Sequence, residues 1–559
     1  MPTAATQPPS DFLQRIPLSA RAILDIGCRQ GELGRAIKRQ NPSARVYGLE
    51  SDADAAAIAA QYLDAVAVLD PETAAVPFDV PGGFDCIIYS AVLPHTREPW
   101  ALLQQHATLL RPDGVILFCV PNIEHWSFAD RLLRGTWDYE PSGLLDRGHM
   151  RWFSLESTRR GLESAGLIPC DVQPRIFDLE RARRFAASMT PSLTALGIKV
   201  EDYTTRAAAL QYIWRARTKP LERLTLAGNM LAPIGGVSHV RVVHPFQALA
   251  TDPDVAVVVT NDIALAPPDD GTPHIFILHR PALVGAQGMD VLRRLMDAGW
   301  LVVTEFDDHP DFFQSMQTGQ QLSFRGVHAV QTSTPALAEV LRPRNPEIAG
   351  FPNAIVTLPE VRNFTDPNAI TLFFGALNRE RDWRDLMPTL NAVAALAGPR
   401  LKFQVVHDEA FFNALTSPHK AFTPICDYET YNNLLGESEV SFMPLLDNDF
   451  NRAKSDLKFI EASAHRVVSL ASPVVYGHSI VDNETGLLFR DPEHLRLLLM
   501  RLIVLPEWGQ RIADQARAYV AQERMLAYQV APRLAWYRSL WARKDELTAA
   551  MWTRLSTES

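Results

Sequence analysis

Runs of β-branched and aliphatic residues recur along the chain, and each is followed by a helical pattern with its apolar residues on one face. This alternation is typical of parallel α/β sheets, in which a helix carries the chain back between neighbouring strands. The alternation starts afresh near Arg21, Leu224 and Ile370. At 559 residues the chain is also too long for a single hydrophobic core. We therefore expect three α/β domains, over residues 1–220, 221–365 and 366–559.

The apolar runs give the expected positions of the strands, and helical patterns fill most of the intervals between them. In the first domain the expected strands are Arg21–Gly27, Ala44–Glu50, Phe84–Ala91, Val115–Val120 and Ala207–Trp214. In the other two domains they are Val255–Val259, His274–Leu278, Leu301–Phe306, Ile370–Gly375, Leu401–Val406, Val440–Met443 and Val467–Ala471. A long helical pattern, Glu507–Arg543, follows, and its aromatic residues are expected to pack rather than to bind carbohydrate.

Bulk composition excludes several classes of function. A net charge of −10 argues against a nucleic-acid partner, which usually requires a basic face. The five cysteines are scattered without a CxxC pair, so neither a disulfide framework nor a zinc site is expected. The first residues lack the pattern of a signal peptide, and the most apolar later stretch, Leu495–Leu505, is charged and too short to span a bilayer. We therefore expect a cytoplasmic protein.

A glycine-rich turn lies between the first strand and the first helix of the chain. It contains Asp25, Gly27 and Gly31, and the glycines allow a tight turn and the close approach of a ligand. Glu50 ends the second strand, where a carboxylate can accept both hydroxyls of a ribose. Together, the turn and the acidic residue predict a site for a nucleoside cofactor.

Residues 20–218 resemble class I S-adenosylmethionine (SAM)-dependent methyltransferases, particularly the type found in bacterial polysaccharide gene clusters. The motifs that carry the resemblance are LDIGCRQGELG, VYGLESD, FDCIIYSAVLPHTREPWALL, LLRPDGVILFCVPNIEHWS and WDYEPSGLLDRGHMRWFS. The resemblance implies that Asp25, Gly27 and Gly31 hold the methionine part of SAM. It also implies that Glu50 binds the ribose and that Asp70 lies near the adenine.

Two residues depart from that family pattern and leave two interpretations open. Arg29 stands where the family usually has glycine, and Pro94 stands where it usually has an acidic residue before the histidine. An active domain that methylates a sugar hydroxyl needs a general base, since an alcohol is a poor nucleophile at neutral pH. His149 is the first candidate and His95 the second; the alternative for each is a loop histidine bonded to the backbone. The other interpretation is a non-catalytic domain.

Basic residues follow the first strand of the third domain and precede a later helix in it. A nucleoside diphosphate that leaves a sugar carries growing negative charge, which basic side chains and helix N-termini stabilise. We expect Arg379 and Lys458 to bind the diphosphate and Lys454 to add a third charge. In the second domain, Gly235 and Gly236 follow the first strand and would allow a close approach to the diphosphate or acceptor.

Residues 221–535 resemble the GT-B glycosyltransferases, and within them family 4. The motifs are PIGGVSHVRVVHP, LVVTEFDDHP, AVQTSTPALAEVL, FPNAI, LFFGALNRERDW, KSDLKFIEASAHRVVSLAS and IVDNETGLLF. The resemblance implies two Rossmann-like lobes, a terminal helix that crosses back to the first lobe, a nucleotide-sugar donor, retention of anomeric configuration and no required metal. It also implies that Glu461 accepts ribose hydroxyls, although the partner glutamate of the family is Ala453 here.

Three acidic residues end a strand of the second domain and look like a metal site. We expect Glu305, Asp307 and Asp308 instead to have structural or acceptor-contacting roles, because the fold they resemble typically works without a bound metal. Asp308, together with His239 and His279, is a candidate for deprotonating the acceptor or positioning the donor.

The leading hypothesis is a bifunctional enzyme of surface-polysaccharide assembly, with SAM as cofactor, a nucleotide sugar as donor and a glycan or lipid-linked glycan as acceptor. A lipid-linked acceptor would bring it to the inner face of the membrane as a peripheral protein. The alternatives are a glycosyltransferase with a non-catalytic methyltransferase-like scaffold and a sugar-nucleotide sensor with neither activity. Donor sugar, methylated position and oligomeric state do not follow from the sequence.

Overall fold

The computed structural model describes residues 10–230, 236–261, 263–362, 366 and 368–556. The chain divides near Glu222 and Arg223 into two compact units. The described residues form three sheets flanked by helices, one in the N-terminal unit and two in the C-terminal unit. This confirms the expected fold class, an N-terminal Rossmann-like domain followed by a pair of Rossmann-like domains.

The N-terminal unit is built on a seven-stranded sheet in the order β3-β2-β1-β4-β5-β7-β6, with β7 antiparallel to both of its neighbours. The strands are β1 Ala22–Ile26, β2 Arg45–Glu50, β3 Ala65–Val68, β4 Phe84–Ser90, β5 Leu110–Pro121, β6 Ile168–Arg175 and β7 Gln211–Arg217. The helices are α1 Ser10–Leu13, α2 Glu32–Gln40, α3 Ala53–Ala59, α4 Pro99–Ala107, α5 Trp126–Leu133, α6 Leu155–Ser164, α7 Leu179–Ser188, α8 Thr190–Ala195 and α9 Val200–Ala208, with a 3₁₀ helix Leu93–His95. Both faces of the central strands are buried, as a doubly covered sheet requires.

The expected strand Ala207–Trp214 is wrong at its start. Helix α9 continues to Ala208, and β7 begins only at Gln211. The reason is a distant cap: the buried Asn122 amide, at the end of β5, donates to the carbonyls of Arg206 and Ala209 at 2.8 Å each. These bonds satisfy carbonyls that a helix C-terminus leaves unpaired, so the helix extends further than local pattern suggests.

The C-terminal unit contains two six-stranded sheets, and all of their strand pairs are parallel. The first lobe has the order β13-β12-β11-β10-β8-β9, with β8 Leu224–Asn229, β9 Val255–Val259, β10 His274–His279, β11 Leu301–Glu305, β12 Ala329–Thr332 and β13 Ile348–Gly350. The second has the order β16-β15-β14-β17-β18-β19, with β14 Ile370–Gly375, β15 Leu401–Val406, β16 Lys420–Thr423, β17 Val440–Met443, β18 Val468–Ala471 and β19 Leu487–Leu488.

The helices of this unit cover both sheets. They are α10 His244–Leu249, α11 Gly285–Asp297, α12 Gln314–Thr318, α13 Leu322–Arg325, α14 Pro335–Leu341, α15 Glu380–Trp383, α16 Met387–Ala397, α17 Glu409–Ala414, α18 Tyr428–Gly436, α19 Asp449–Arg452, α20 Leu457–Ala464, α21 Pro473–Tyr476, α22 Pro492–Val504, α23 Pro506–Glu523, α24 Val530–Ala542 and α25 Lys544–Ser556. Shorter 3₁₀ turns are Pro310–Phe312, Arg384–Leu386, Gly398–Arg400 and Leu526–Gln529. Among the described residues, no helix combines the length and apolarity needed to cross a bilayer.

The expected helix Glu507–Arg543 is broken into α23 and α24. At the break, Arg524 forms an ion pair with Asp456, and its carbonyl accepts a hydrogen bond from the Ile355 amide at 2.8 Å. The chain then returns to the first lobe, where Tyr537 of α24 donates to Gln331 of β12 at 2.7 Å. The tail therefore holds the first lobe through packing and buried hydrogen bonds.

A π-helix, His239–Val243, precedes α10 and places Arg241 in the interior. Pro245 has no N–H to bond the Arg241 carbonyl, and the His244 amide instead bonds the carbonyl of His239, five residues earlier. The Arg241 guanidinium donates to both oxygens of Glu305, Nε at 2.8 Å and Nη2 at 3.0 Å. Both side chains are fully buried, and Gln331 donates to the same carboxylate at 2.7 Å.

Replacing Arg241 tests the contribution of this buried ion pair. Arg241→Leu leaves the Glu305 carboxylate buried without its counter-ion, which costs about 3–5 kcal/mol of stability. Calorimetry of the full chain should show a large fall in the melting temperature of one unit. Arg294→Leu is the control, because Arg294 pairs with Asp290 on the exposed surface of α11 and such pairs contribute about 0–1 kcal/mol. Equal melting temperatures in the two variants would contradict the prediction.

Candidate functional site

The predicted cofactor residues of the N-terminal unit meet at one edge of its sheet. Asp25 lies near the end of β1, Glu50 ends β2, and Asp70 follows β3. These three strands are parallel neighbours, so their carboxyl ends share an edge. Gly27 and Gly31 lie in the turn that leaves β1 at the same edge. The structure therefore brings all five of these residues to one side of the sheet.

The turn keeps the shape that glycines give it, even at Arg29. Gly27 has φ +72°, and a Cβ there would lie 2.5 Å from Val92 Cγ2. Gly31 has φ +83°, and a Cβ there would lie 3.1 Å from the Ala59 backbone. Arg29 itself adopts φ +51°, the left-handed region that glycine prefers, and its side chain is exposed. The substitution for glycine therefore leaves the backbone path of the turn intact.

Asp25 has an unusual electrostatic environment. Its side chain is buried, and Oδ1 has no hydrogen-bond partner among the described residues. Burial, with smaller contributions from Glu50 and Glu32, raises the pKa of Asp25 to about 7. A buried carboxyl oxygen without a donor is costly unless a ligand supplies one. This position therefore suits an ammonium or N–H group, as in the amino-acid part of SAM.

Glu50 is held in place by the turn itself. The Arg29 amide donates to its Oε2 at 2.8 Å, and the Asp52 amide donates to its Oε1 at 3.0 Å. The Ser51 hydroxyl also donates to Oε1, at 3.3 Å. Oε2 can accept one more hydrogen bond, and a ribose hydroxyl can take the place of the Ser51 hydroxyl at Oε1. Asp52 also caps α3 through the amides of Asp54 and Ala55. The donor set and its fixed geometry fit a nucleoside cofactor.

The two candidate bases of this unit are brought together. His95 ends the 3₁₀ helix that follows β4, and its ring centroid lies 4.9 Å from that of His149. Burial, together with the nearby His95, lowers the pKa of His149. Asp146 completes the group, since its carboxylate lies close to both rings. Sequence reasoning gave Asp146 no role; its position three residues before His149 was the available signal.

The second predicted site is a cleft of about 320 Å³ between the two lobes of the C-terminal unit. Arg379, Lys454 and Lys458 line it from the second lobe. Arg280 and Asp308 line it from the first. The structure thus assembles the predicted basic residues and Asp308 around one cavity. Gly236 is described, whereas Gly235 lies outside the described residues.

The basic residues of the cleft are close enough to repel one another. Lys458, at the start of α20, donates through Nζ to the Gly375 carbonyl. Burial, together with Arg379, lowers the pKa of Lys458 to about 8. Burial also lowers the pKa of Lys454, whose Nζ lies 3.4 Å from Asp308 Oδ1. Arg379 donates to Asn451 Oδ1 at 2.8 Å. This excess of positive charge next to a helix N-terminus favours an anionic ligand.

Glu461 lies one turn further along α20 and has a partner that sequence reasoning missed. Tyr428 donates its hydroxyl to Glu461 Oε1 at 2.6 Å, and burial raises the pKa of Glu461 to about 7. The Tyr428 ring stacks on His239 of the first lobe, with centroids 5.5 Å apart. A Cβ on Gly236 would lie 2.7 Å from the same ring. Tyr428 therefore links Gly236 and His239 of the first lobe to Glu461 of the second.

The acidic residues of the first lobe are neutralised by basic residues. Glu305 pairs with Arg241, and Asp307 accepts from Arg280 Nε at 2.6 Å. Burial alone would raise the pKa of Asp307, but Arg280 reverses the shift and lowers it. Asp308 remains at the cleft, between Arg280 and Lys454. Separately, both ring nitrogens of the buried His279 lack partners among the described residues.

Comparison with known proteins relates the N-terminal part of the chain to methyltransferases. Residues 3–168 match the family described as a methyltransferase domain. The ubiquinone biosynthesis O-methyltransferase of Ralstonia nicotianae is 30% identical over 173 residues, which are 27% of this chain and 71% of that protein. A trans-aconitate 2-methyltransferase of Azoarcus is 30% identical over 132 residues, 23% of this chain and 51% of that protein. The chain thus spans 71% of the first relative and 51% of the second.

Among solved structures, HepE of Anabaena in complex with UDP-glucose aligns over 56% of this chain and 100% of its own, with a TM-score of 0.41 and 12% identity. The family match falls on the N-terminal unit, where the cofactor turn and Glu50 lie, and the Ralstonia relative is itself a methyltransferase. The chain therefore belongs, through its N-terminal unit, to the family of class I SAM-dependent methyltransferase domains.

Proposed function

We propose that this chain is a bifunctional transferase of surface-polysaccharide assembly. Its N-terminal unit methylates a sugar hydroxyl with SAM, and its C-terminal unit transfers a sugar from a nucleotide donor to a glycan or lipid-linked glycan. The observation that carries the proposal is the pairing of two ligand sites of opposite charge on one chain. Asp25 and Glu50 form one, and Arg379, Lys454 and Lys458 form the other.

The N-terminal site fits each part of SAM. The unpartnered Asp25 oxygen accepts from the ammonium group, the turn around Gly27 and Gly31 leaves room for the methionine part, and Glu50 accepts the ribose hydroxyls. Asp70, at the end of the next strand, lies on the side where the adenine belongs. SAM supplies an electrophilic methyl group when bound.

His149 and His95 are the candidates for activating the acceptor hydroxyl. His95 follows β4, the neighbour of β1, so it lies at the same edge of the sheet as the cofactor turn. His149, from the segment between α5 and α6, packs beside it. Because burial lowers the pKa of His149, its imidazole is neutral at pH 7 and able to take a proton. His149 or His95 would hold the proton of the acceptor hydroxyl, and the oxygen would then be the nucleophile toward the methyl group that SAM would supply.

The cleft of the C-terminal unit supports sugar transfer. When the bond between the anomeric carbon and the diphosphate breaks, negative charge grows on phosphate oxygens, and Arg379, Lys454 and Lys458 stabilise it. Glu461 accepts the ribose hydroxyls in place of the Tyr428 hydroxyl. Asp308 positions or deprotonates the acceptor. A second cavity, of about 880 Å³, adjoins Arg379 and offers room for the sugar.

Tethering both activities raises the effective concentration of one unit at the product of the other. The alternative, a glycosyltransferase with a non-catalytic methyltransferase-like scaffold, is motivated by Arg29 and Pro94. The exposed Arg29 side chain and the glycine-like turn at this position favour an active site over a scaffold.

Calorimetric titration with SAM and S-adenosylhomocysteine tests the N-terminal site. We expect micromolar binding by the full chain and a loss of at least about 100-fold in Glu50→Ala, since two hydrogen bonds to a charged group disappear. Glu163→Ala is the control, because Glu163 only pairs with Arg159 on the surface of α6. Absence of binding by the unaltered protein would favour the scaffold alternative.

Titration with UDP, GDP and ADP tests the C-terminal cleft. One diphosphate should bind with proton uptake near pH 8, because the pKa of Lys458 is about 8 in the free protein and a phosphate partner raises it. Affinity should therefore fall as the pH rises from about 7 to about 9. Lys458→Met should abolish both effects, whereas Lys402→Met, which removes a surface pair with Asp366, should change neither. Unaltered binding by Lys458→Met would contradict the assignment.

A further inference from the structure

Three side chains with metal-ligating atoms meet beside the proposed methyl-transfer site. The ligating atoms of His95, Asp146 and His149 all lie within 4.8 Å of one another, and the described residues contain no other such group of three or more. Two imidazoles and one carboxylate are typical ligands of divalent transition ions. We propose that His95, Asp146 and His149 bind a divalent transition ion of the Zn²⁺, Mn²⁺ or Co²⁺ class, although the sequence analysis expected no metal.

Two of the three ligands are already oriented by backbone groups. His149 Nδ1 lies 3.3 Å from the Leu144 carbonyl, which can only accept, so the proton is assigned to Nδ1 and Nε2 keeps its lone pair. The Gly148 amide donates to Asp146 Oδ1 at 2.7 Å, which leaves Oδ2 available. Metal-binding histidines and carboxylates usually have such supporting hydrogen bonds. These hydrogen bonds therefore orient the side chains of His149 and Asp146 before an ion binds.

The loops that carry the ligands are held together by the backbone. The Pro94 carbonyl accepts from the amides of Met150 at 2.8 Å and Arg151 at 3.1 Å, which fixes the segment after His149 against the residue before His95. A Cβ on Gly148 would lie 2.8 Å from His95 Nδ1. The close approach of the two loops therefore depends on a glycine at this position.

The charge around the group is also suited to a cation. No basic side chain among the described residues forms an ion pair with Asp146, and the nearby Arg151 lies 3.6 Å from Glu98 instead. This differs from the acidic residues of the first lobe, where Arg280 neutralises Asp307.

The role that we assign to the ion rests on the proposed methyl transfer. The binding of the ion does not depend on that proposal. A bound divalent ion lowers the pKa of a hydroxyl that coordinates it. The acceptor would then lose its proton to water, its oxygen would bond to the methyl carbon of SAM, and the sulfur would keep the electron pair of the broken carbon–sulfur bond. His95 and His149 would act as ligands rather than as free bases.

Titration of the chelator-treated full chain with Co²⁺ tests the site, because cobalt reports its ligands through visible absorption. We expect one ion per chain at this site and a loss of affinity of at least about 100-fold in His149→Ala and in Asp146→Asn. His125→Asn is the control, since asparagine can replace the helix cap that His125 provides and His125 lies outside the group. Equal affinity in His149→Ala and the unaltered protein would overturn the proposal.

A second measurement uses the unaltered chain, so its result does not depend on whether a variant folds. Diethylpyrocarbonate modifies free imidazole nitrogens, and mass spectrometry locates the modified residues. Zn²⁺ should protect both His95 and His149 from modification. The modification rate of His478, which is exposed, should stay unchanged. Failure to protect either His95 or His149 would overturn the proposal. SAM titration in parallel separates the two ideas: SAM binding without metal binding refutes only the ion, and metal binding without SAM binding refutes only the proposed methyl transfer.

Discussion

The Glu305 carboxylate is the buried charge around which the C-terminal unit is organised. Arg241 holds both of its oxygens and also donates to the Phe351 carbonyl and to Asn353 Oδ1. The Asn353 amide donates in turn to Ser455 Oγ of the second lobe at 2.8 Å. A buried ion pair needs such additional bonds to offset its desolvation. The same network therefore satisfies the charge and joins the lobes at the base of the cleft.

The two candidate sites differ in the sign of the charge that the protein leaves uncompensated in each. In the N-terminal unit, a buried acidic oxygen of Asp25 has no donor among the described residues. In the cleft, Lys458 is held close to Arg379 and its pKa falls. Each arrangement is costly in the free protein and is relieved by a ligand of opposite charge. Under the proposed function, this difference would let one chain select two ligands with little competition between their sites.

Much of the fold could be predicted because strand patterns are local. The bounds of β9, β14, β15 and β17 agree with the apolar runs, and the glycine turn after β1 lies where its spacing indicates. The errors arise from distant partners. Asn122 extends α9, and Arg524 breaks the terminal helix. At the sites, Tyr428 on Glu461 and Asp146 beside the histidines were missed, because the chain brings them together only when folded.

The central claim is that one chain carries two independent ligand sites. Native mass spectrometry of the full chain with S-adenosylhomocysteine and a binding nucleoside diphosphate together tests it most directly. The account predicts a species that holds one molecule of each, from which Glu50→Ala removes only the first ligand and Lys458→Met only the second. Competition between the two ligands, or loss of both in either variant, would contradict it.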